Sequence, residues 1–289
     1  MSPPTATVRS MRAILGTEAL ASGLLTRGEL RWNYERVATD VYLPKEGERC
    51  IFDLAEAAWL WSGRSGIVTG RAAAALHGAT GINVDTPVEL LTGRRTSNPR
   101  LVARNVRFHD DEVQRRSSGM LVTTPARTAF DLGRHLERRE AVRHLDALTA
   151  ATGVSRIEVE KLADRYRGAA GTYQAVFAAH LMDGGAQSPQ ESMTRMALVD
   201  AGFPRPSTQI LVCGGRQTAV TVALGWEQHR IGLTFAAAGK RLLAVPEWSR
   251  NNFLQLQGWI NLYVSPTEAV QMTVDRARAA FRVRARRGY

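Results

Sequence analysis

Residues Ser188–Phe235 read SPQESMTRMALVDAGFPRPSTQILVCGGRQTAVTVALGWEQHRIGLTF, and the spacing of their apolar positions gives helix, strand, strand, strand. Met193, Met196, Ala197 and Ala201 recur at helical spacing, which makes one apolar face. Ser188 is a good N-cap, Pro189 suits the first helical position, and Glu191 stands where a capping box places its acid. Gly202 and Pro204 end the helix. The run QILVC is a strand and Gly214-Gly215 marks a turn. In the next strand Val220, Val222, Leu224 and Trp226 alternate with Thr221, Ala223 and Gly225. In the third, Ile231, Leu233 and Phe235 alternate with Arg230, Gly232, Thr234 and Ala236. The alternation predicts Trp226, Leu233 and Phe235 buried on one face, with Ala223 and Thr234 together on the other.

This order resembles the restriction-endonuclease-like fold (PD-(D/E)XK), in the short form of very-short-patch repair endonucleases that actinobacterial proteins carry at the C-terminus. The resemblance implies a Glu on the helix, an Asp on the second strand and a Glu-Tyr-Asp-Gly-like run on the third, the acids holding a divalent metal. Glu191 matches; the Asp position is Ala223, and the third-strand run reads Thr234, Phe235, Ala236, Ala237. Gly225-Trp226 and Arg230 keep the strand frame. Mg²⁺ takes hard oxygen ligands, and metal-assisted hydrolysis needs it to activate water and offset phosphate charge. Alanine supplies no ligand. Glu191, Ala223, Thr234 and Ala236 therefore make a degenerate site, and the expectation is no catalytic residue, no metal and no cofactor. Glu191 keeps two readings, capping-box residue and catalytic remnant.

The 289 residues allow two or three domains, and 44% hydrophobic with 22% charged residues describes an ordinary globule. The formal net charge of +11 suits a polyanionic partner, since phosphate contacts supply most non-specific nucleic-acid affinity. Lys45, Lys161 and Lys240 are the only lysines; the remaining cations are arginines. Cys50 and Cys213 form no short-spaced pair, so buried free thiols in a reducing cytoplasm are expected. The opening MSPPTATVRSMRAILG lacks the apolar core of a signal peptide, and no apolar run has the length of a membrane span.

Earlier in the chain, Val8 to Pro44 read as short helices followed by a small hairpin. Thr26 caps a helix over RGELRWNYER with Glu29 in the capping-box position, and Val37 with VYLP alternates like a wing. That helix would carry Arg27, Arg31 and Arg36 with Trp32 and Tyr34, and could lie in a major groove. The alternative is a small helical cap with a solvated basic side. Phe52–Trp61 is an apolar-faced helix, Ile67-Val68 opens a strand, and GRAAAALHG is an Ala-rich helix ending at a structural His77. PVELL and NVRFH read as strands joined by a loop bearing Arg94, Arg95, Arg100 and Arg104. MLVTT is a strand, Thr124 caps the next helix and Pro125 opens it. His109, Asp110, Asp111 and Glu112 read as a solvated turn. Three helices follow, from Arg138, Ser155 and Thr172. The last helix runs from Pro266 into a tail with Arg276, Arg278, Arg282, Arg284, Arg286 and Arg287, either solvated or phosphate-binding.

LLTRGEL, RVATDVYLP, GRAAAALHG, PVELL and VTTPARTAFDL resemble the N-terminal half of the AbiEi antitoxin family. The resemblance implies DNA binding through a winged helix and, in some members, repression of a toxin operon. The expected fold class is α/β (α+β): a winged-helix-like segment over 1–45, an α/β and helical domain over 46–185, and a restriction-endonuclease-like domain over 186–289. The expected nucleic-acid contacts are Arg27, Arg31, Arg36, Arg94, Arg95, Arg282, Arg284, Arg286 and Arg287. The partners are double-stranded DNA and a possible cognate toxin, with no membrane. Two alternatives stand beside this reading: an endonuclease using displaced acids such as Glu227 or Glu247, and a toxin-neutralising interaction module that binds no DNA.

Overall fold

Helix caps, strand alternation and buried ion pairs organise the chain into an α+β architecture, in a computed structural model that describes residues 12–214, 219–236 and 247–286. Contacts divide the chain into two units, Met1–Leu136 with Val154–His180, and Glu137–Gly153 with Leu181–Tyr289.

The first unit opens with β1 (Ile14–Leu15), α1 (Gly16–Ala21), α2 (Arg27–Asn33), β2 (Tyr34–Ala38) and β3 (Val41–Pro44). The three strands form one antiparallel sheet in the order β1-β3-β2. Thr26 and Glu29 form the expected capping box on α2. The helix stops at Asn33, so Arg36 belongs to strand β2 and not to the helix. Tyr34 is already extended and pairs with Pro44, which closes the helix early.

Next come α3 (Ile51–Trp61), β4 (Ile67–Thr69), α4 (Gly70–Leu76), β5 (Val88–Leu91), β6 (Leu101–Arg104), β7 (Val113–Arg115), β8 (Leu121–Thr123) and α5 (Pro125–His135). The five strands make a mixed sheet ordered β6-β5-β4-β8-β7. The strand expected at NVRFH lies earlier, at Leu101–Arg104, where it pairs in parallel with β5. Thr124 caps α5, with Pro125 at its start. His77 is bonded as a structural histidine, Nε2 to the Thr123 carbonyl at 2.8 Å.

The turn at Asp110–Glu112 is not simply solvated. Glu112 is 2% exposed and is held by Arg127, Arg165 and Tyr166, because three donors converge to compensate its charge. Burial pushes its carboxyl up, but the hydrogen bonds from Tyr166, Arg165 and Arg127 outweigh that and hold it below the usual carboxylate range.

The elements that follow are α6 (Arg138–Thr152), α7 (Arg156–Arg165), α8 (Thr172–Leu181), α9 (Pro189–Asp200), β9 (Ser207–Cys213), β10 (Ala219–Trp226), β11 (Ile231–Phe235), α10 (Glu247–Leu256), β12 (Ile260–Val264) and α11 (Val270–Arg286). Helices α7 and α8 complete the first unit, and α6 belongs to the second. The second unit's sheet runs β12-β11-β10-β9, antiparallel except for the parallel β11–β12 pair. The turn expected at Gly214-Gly215 and most of the irregular run after Phe235 lie outside the described residues.

Helix α9 buries Met196 and Leu198 completely, whereas Ala201 is exposed. It packs against both α6 and α11, so a second side is covered, including Arg195 paired with Asp146. The expected strand faces also need correcting. Leu224 and Trp226 join Leu198, Ile231, Leu233 and Leu262 in one core. Val220 and Val222 turn instead to Ile210, Leu254 and Trp259 in another. The β9–β10 ladder pairs Val222 with Ile210 and Leu224 with Thr208 but skips Gln209, which takes a left-handed φ of 51°. That interruption swaps the faces. Trp226 and Leu233 are buried, while Phe235 is half-buried at the core margin. Cys213 is exposed and Cys50 half-buried, so neither is the fully buried thiol expected.

Candidate functional site

The four positions of the expected degenerate site, Glu191, Ala223, Thr234 and Ala236, line one cleft in the second unit, of about 650 Å³. The approach to α9 and its first turn supply Gln187 to Glu191, β10 supplies Thr221 and Ala223, and the end of β11 supplies Thr234 to Ala236. Gln209 and Arg250 complete the lining. Within hydrogen-bonding reach, the Gln187 amide donates to the Gln209 side-chain oxygen at 3.2 Å, and Arg250 donates to the Thr221 carbonyl at 3.3 Å. Asn261 donates to the Thr234 hydroxyl at 3.1 Å.

Glu191 is the cleft's one carboxylate among the described residues. It is 7% exposed, and both oxygens are engaged: Oε2 accepts the Gln187 N–H at 2.9 Å and Oε1 the Ser188 hydroxyl at 3.0 Å. Ser188 in turn accepts the Glu191 N–H at 3.2 Å. This is a helix cap shifted by one residue from the standard box, since the acid reaches the N–H before the N-cap. Such a donor set does not fit a divalent cation: one carboxylate bonded to its own helix start, two alanines and a threonine. Among the described residues no group of three or more His, Cys, Asp or Glu side chains could hold a metal ion. Glu227 is exposed in the turn before β11 and does not line the cleft; the side chain of Glu247 lies outside the described residues.

The first unit carries a separate basic surface. In α2 only Leu30 is buried, leaving Arg27 and Arg31 exposed. Lys45 Nζ donates to the carbonyls of Arg31 and Trp32, both at 2.9 Å, and so satisfies the end of the helix. Arg36 is exposed on β2 with Nε on the Ala38 carbonyl at 3.3 Å. The loop between β5 and β6 is tied to that strand by Asn98, whose amide donates to the Val37 carbonyl at 2.9 Å. Arg94 is exposed, yet it donates to the Trp61 carbonyl at 2.6 Å and lies over the Trp61 ring. Arg95 and Arg100 are exposed beside it in sequence. Asn98 was not among the expected site residues; its link to Val37 spans 61 positions, and no local pattern announces it.

On α11 the basic run divides. Arg282 and Arg286 are exposed. Arg284 is 4% exposed and donates to the carbonyls of Arg230 and Gly258, at 2.9 and 2.6 Å, so it braces the β11 entry and is no surface contact. Helical geometry explains the correction: Ala277, Ala280 and Arg284 share the face turned to the core. Arg276 and Arg278 are ion-paired with Glu268 and Asp275. Arg287 lies outside the described residues. No helix among the described residues is long and apolar enough to cross a membrane.

No family model matches the chain. Over 150 residues it is 31% identical to an uncharacterized protein of Mycobacterium tuberculosis strain H37Rv, and equally to one of strain CDC 1551 / Oshkosh. The match takes in 50% of this chain and 54% of each relative, so the chain spans about half the length of the curated relatives it matches.

Proposed function

We propose that this chain is a DNA-binding protein of the regulator or antitoxin type, with a C-terminal unit of nuclease ancestry that no longer cleaves. One observation carries the reading: the cleft where Glu191, Ala223, Thr234 and Ala236 meet has a single carboxylate, and that carboxylate is spent on its own helix cap. A nuclease frame without metal ligands retains shape and loses hydrolysis. The DNA contact falls to the exposed arginines of α2, β2 and the β5–β6 loop, supported by the net charge of +11. In this reading the first half is AbiEi-like, the second resembles very-short-patch repair endonucleases, the protein works in the cytoplasm, and a cognate toxin is a second partner.

The test is a gel-shift series on duplex DNA across a range of salt, with a parallel incubation of plasmid in Mg²⁺ and Mn²⁺. The expected result is salt-sensitive binding without cleavage. Cleavage by the wild type that disappears in Glu191→Ala would restore the enzyme reading. Absence of binding at low salt would leave the interaction module in its place.

A further inference from the structure

We infer that Trp32, at the end of α2, is a stacking platform for an unpaired nucleobase. The nucleic acid recognised by this surface then carries a single-stranded or locally opened stretch. The inference rests on the nucleic-acid reading above and adds the form of the partner.

Trp32 is 73% exposed, on a helix whose only buried side chain is Leu30. A tryptophan left in water keeps a wide apolar face and a polar N–H open to a ligand. The ring sits on a fixed base, because Lys45 bonds the carbonyls of Arg31 and Trp32. The Arg31 guanidinium lies 5.9 Å from the Trp32 ring centroid, and neither Arg27 nor Arg31 is ion-paired among the described residues.

The neighbouring acids are already committed. Glu29 accepts the Thr26 N–H and hydroxyl, both at 2.8 Å, and Glu35 pairs with Arg49 at 2.5 Å. Glu29 keeps its negative charge, since both of its donors are neutral, but Arg27 and Arg31 outnumber it, and a net positive charge faces solvent beside one flat ring. That combination fits a polyanion whose monomers have flat faces. Within an intact duplex the base faces are covered by their neighbours, so away from its ends only an unpaired base can lie on an indole. A lipid surface fits less well. The other exposed residues of α2 are Arg27, Gly28, Glu29, Arg31 and Asn33, which offer no apolar stripe to insert. Leu24, exposed in the preceding turn, has no face for stacking.

The experiment uses the full chain in EDTA and fluorescence anisotropy of one labelled oligonucleotide in three forms: single strand, perfect duplex, and duplex with one unpaired base. Wild type, Trp32→Ala and Trp32→Phe are compared after their melting curves are matched, which the exposure of Trp32 makes attainable. Trp32→Ala should weaken binding of the single strand and of the interrupted duplex by about tenfold, with Trp32→Phe retaining most of the affinity. The perfect duplex should be bound equally by all three. Equal loss on all three forms, or no loss on any, overturns the stacking role while leaving DNA binding intact. Binding of neither strand form by wild type removes the nucleic-acid reading itself. Binding of anionic vesicles that Trp32→Ala abolishes, without nucleic-acid binding, reassigns the surface to membranes and also overturns the proposal.

Discussion

Arg195 and Asp146 are 0% and 1% exposed and form a buried ion pair. Arg195 Nη2 reaches both carboxylate oxygens, at 2.9 and 2.7 Å, and Nη1 reaches the Leu181 carbonyl at 2.7 Å. Removing one partner of such a pair strands a charge in a medium that cannot solvate it. Asp146→Ala should therefore cost ~3–5 kcal/mol in urea unfolding, whereas replacing both residues by Leu and Met should cost far less. His135 makes a pH-dependent contribution of definite sign. Burial first, and then the charges of Arg104, Arg134 and Arg127, bring its pKa from 6.5 down to about 4. As pH falls between these values the unfolded chain takes up a proton that the folded chain refuses, so stability is complete above the upper value and drains away below it. His135→Gln should flatten the fall of the urea midpoint between neutral and acid pH. Some slope should remain, because burial lowers the His77 pKa as well. Neither residue's environment was legible locally: Arg195 interrupts an apolar helix face, and its partner lies 49 positions away.

Among the elements, those with short-range signals were readable. The caps at Thr26, Thr124 and Ser188 mark three helix starts, since a hydroxyl bonded to an N–H three residues on is written in adjacent sequence. The strand spacing also put Ala223 beside Thr234 and Ala236, which do line one cleft, whereas Glu191, on a helix, entered through the family resemblance and not through any spacing. The face swap in β10 was not, because its cause sits on the neighbouring strand at Gln209. A left-handed conformation costs a residue with a Cβ ~1–2 kcal/mol, against ~0.5–1 kcal/mol for the freedom that glycine loses on folding. Gln209→Gly should thus melt no lower than wild type. Gln209→Val, branched at Cβ and intolerant of positive φ, should melt clearly lower. A Gly variant that melts several degrees lower would show that the Gln187–Gln209 contact, and not the backbone, sets the kink.

For the whole molecule, the formal charge of +11 is a poor guide to where DNA would lie, because the arginines are in different states. Arg127, Arg195 and Arg284 are interior struts, Arg276 and Arg278 are ion-paired, and Arg27, Arg31, Arg282 and Arg286 face solvent. Composition counts all of these alike, and only the fold sorts them. Arg27→Ala or Arg31→Ala should reduce the slope of log K against log[salt] by about 1 each, with unchanged melting. Arg284→Ala should do the reverse, lowering the melting temperature while leaving the slope alone. A slope that responds to Arg282 and Arg286 but not to the α2 pair would move the DNA contact to α11.

The division of the chain has a consequence for its birth on the ribosome. Glu137–Gly153 belongs to the second unit, yet it is translated before Val154–His180, which completes the first. When α6 emerges, α9, against which it packs, has not yet been made, so Ala141, Val142, Leu145 and Leu148, all 0% exposed in the finished fold, lack that cover. Asp146 must wait 49 residues for Arg195, a delay of about 2–10 s at ordinary elongation rates. During that interval an apolar helix is without its partner helix. It is then a natural substrate for chaperones that hold nascent chains, and a nascent chain stalled in this window would be especially prone to aggregate.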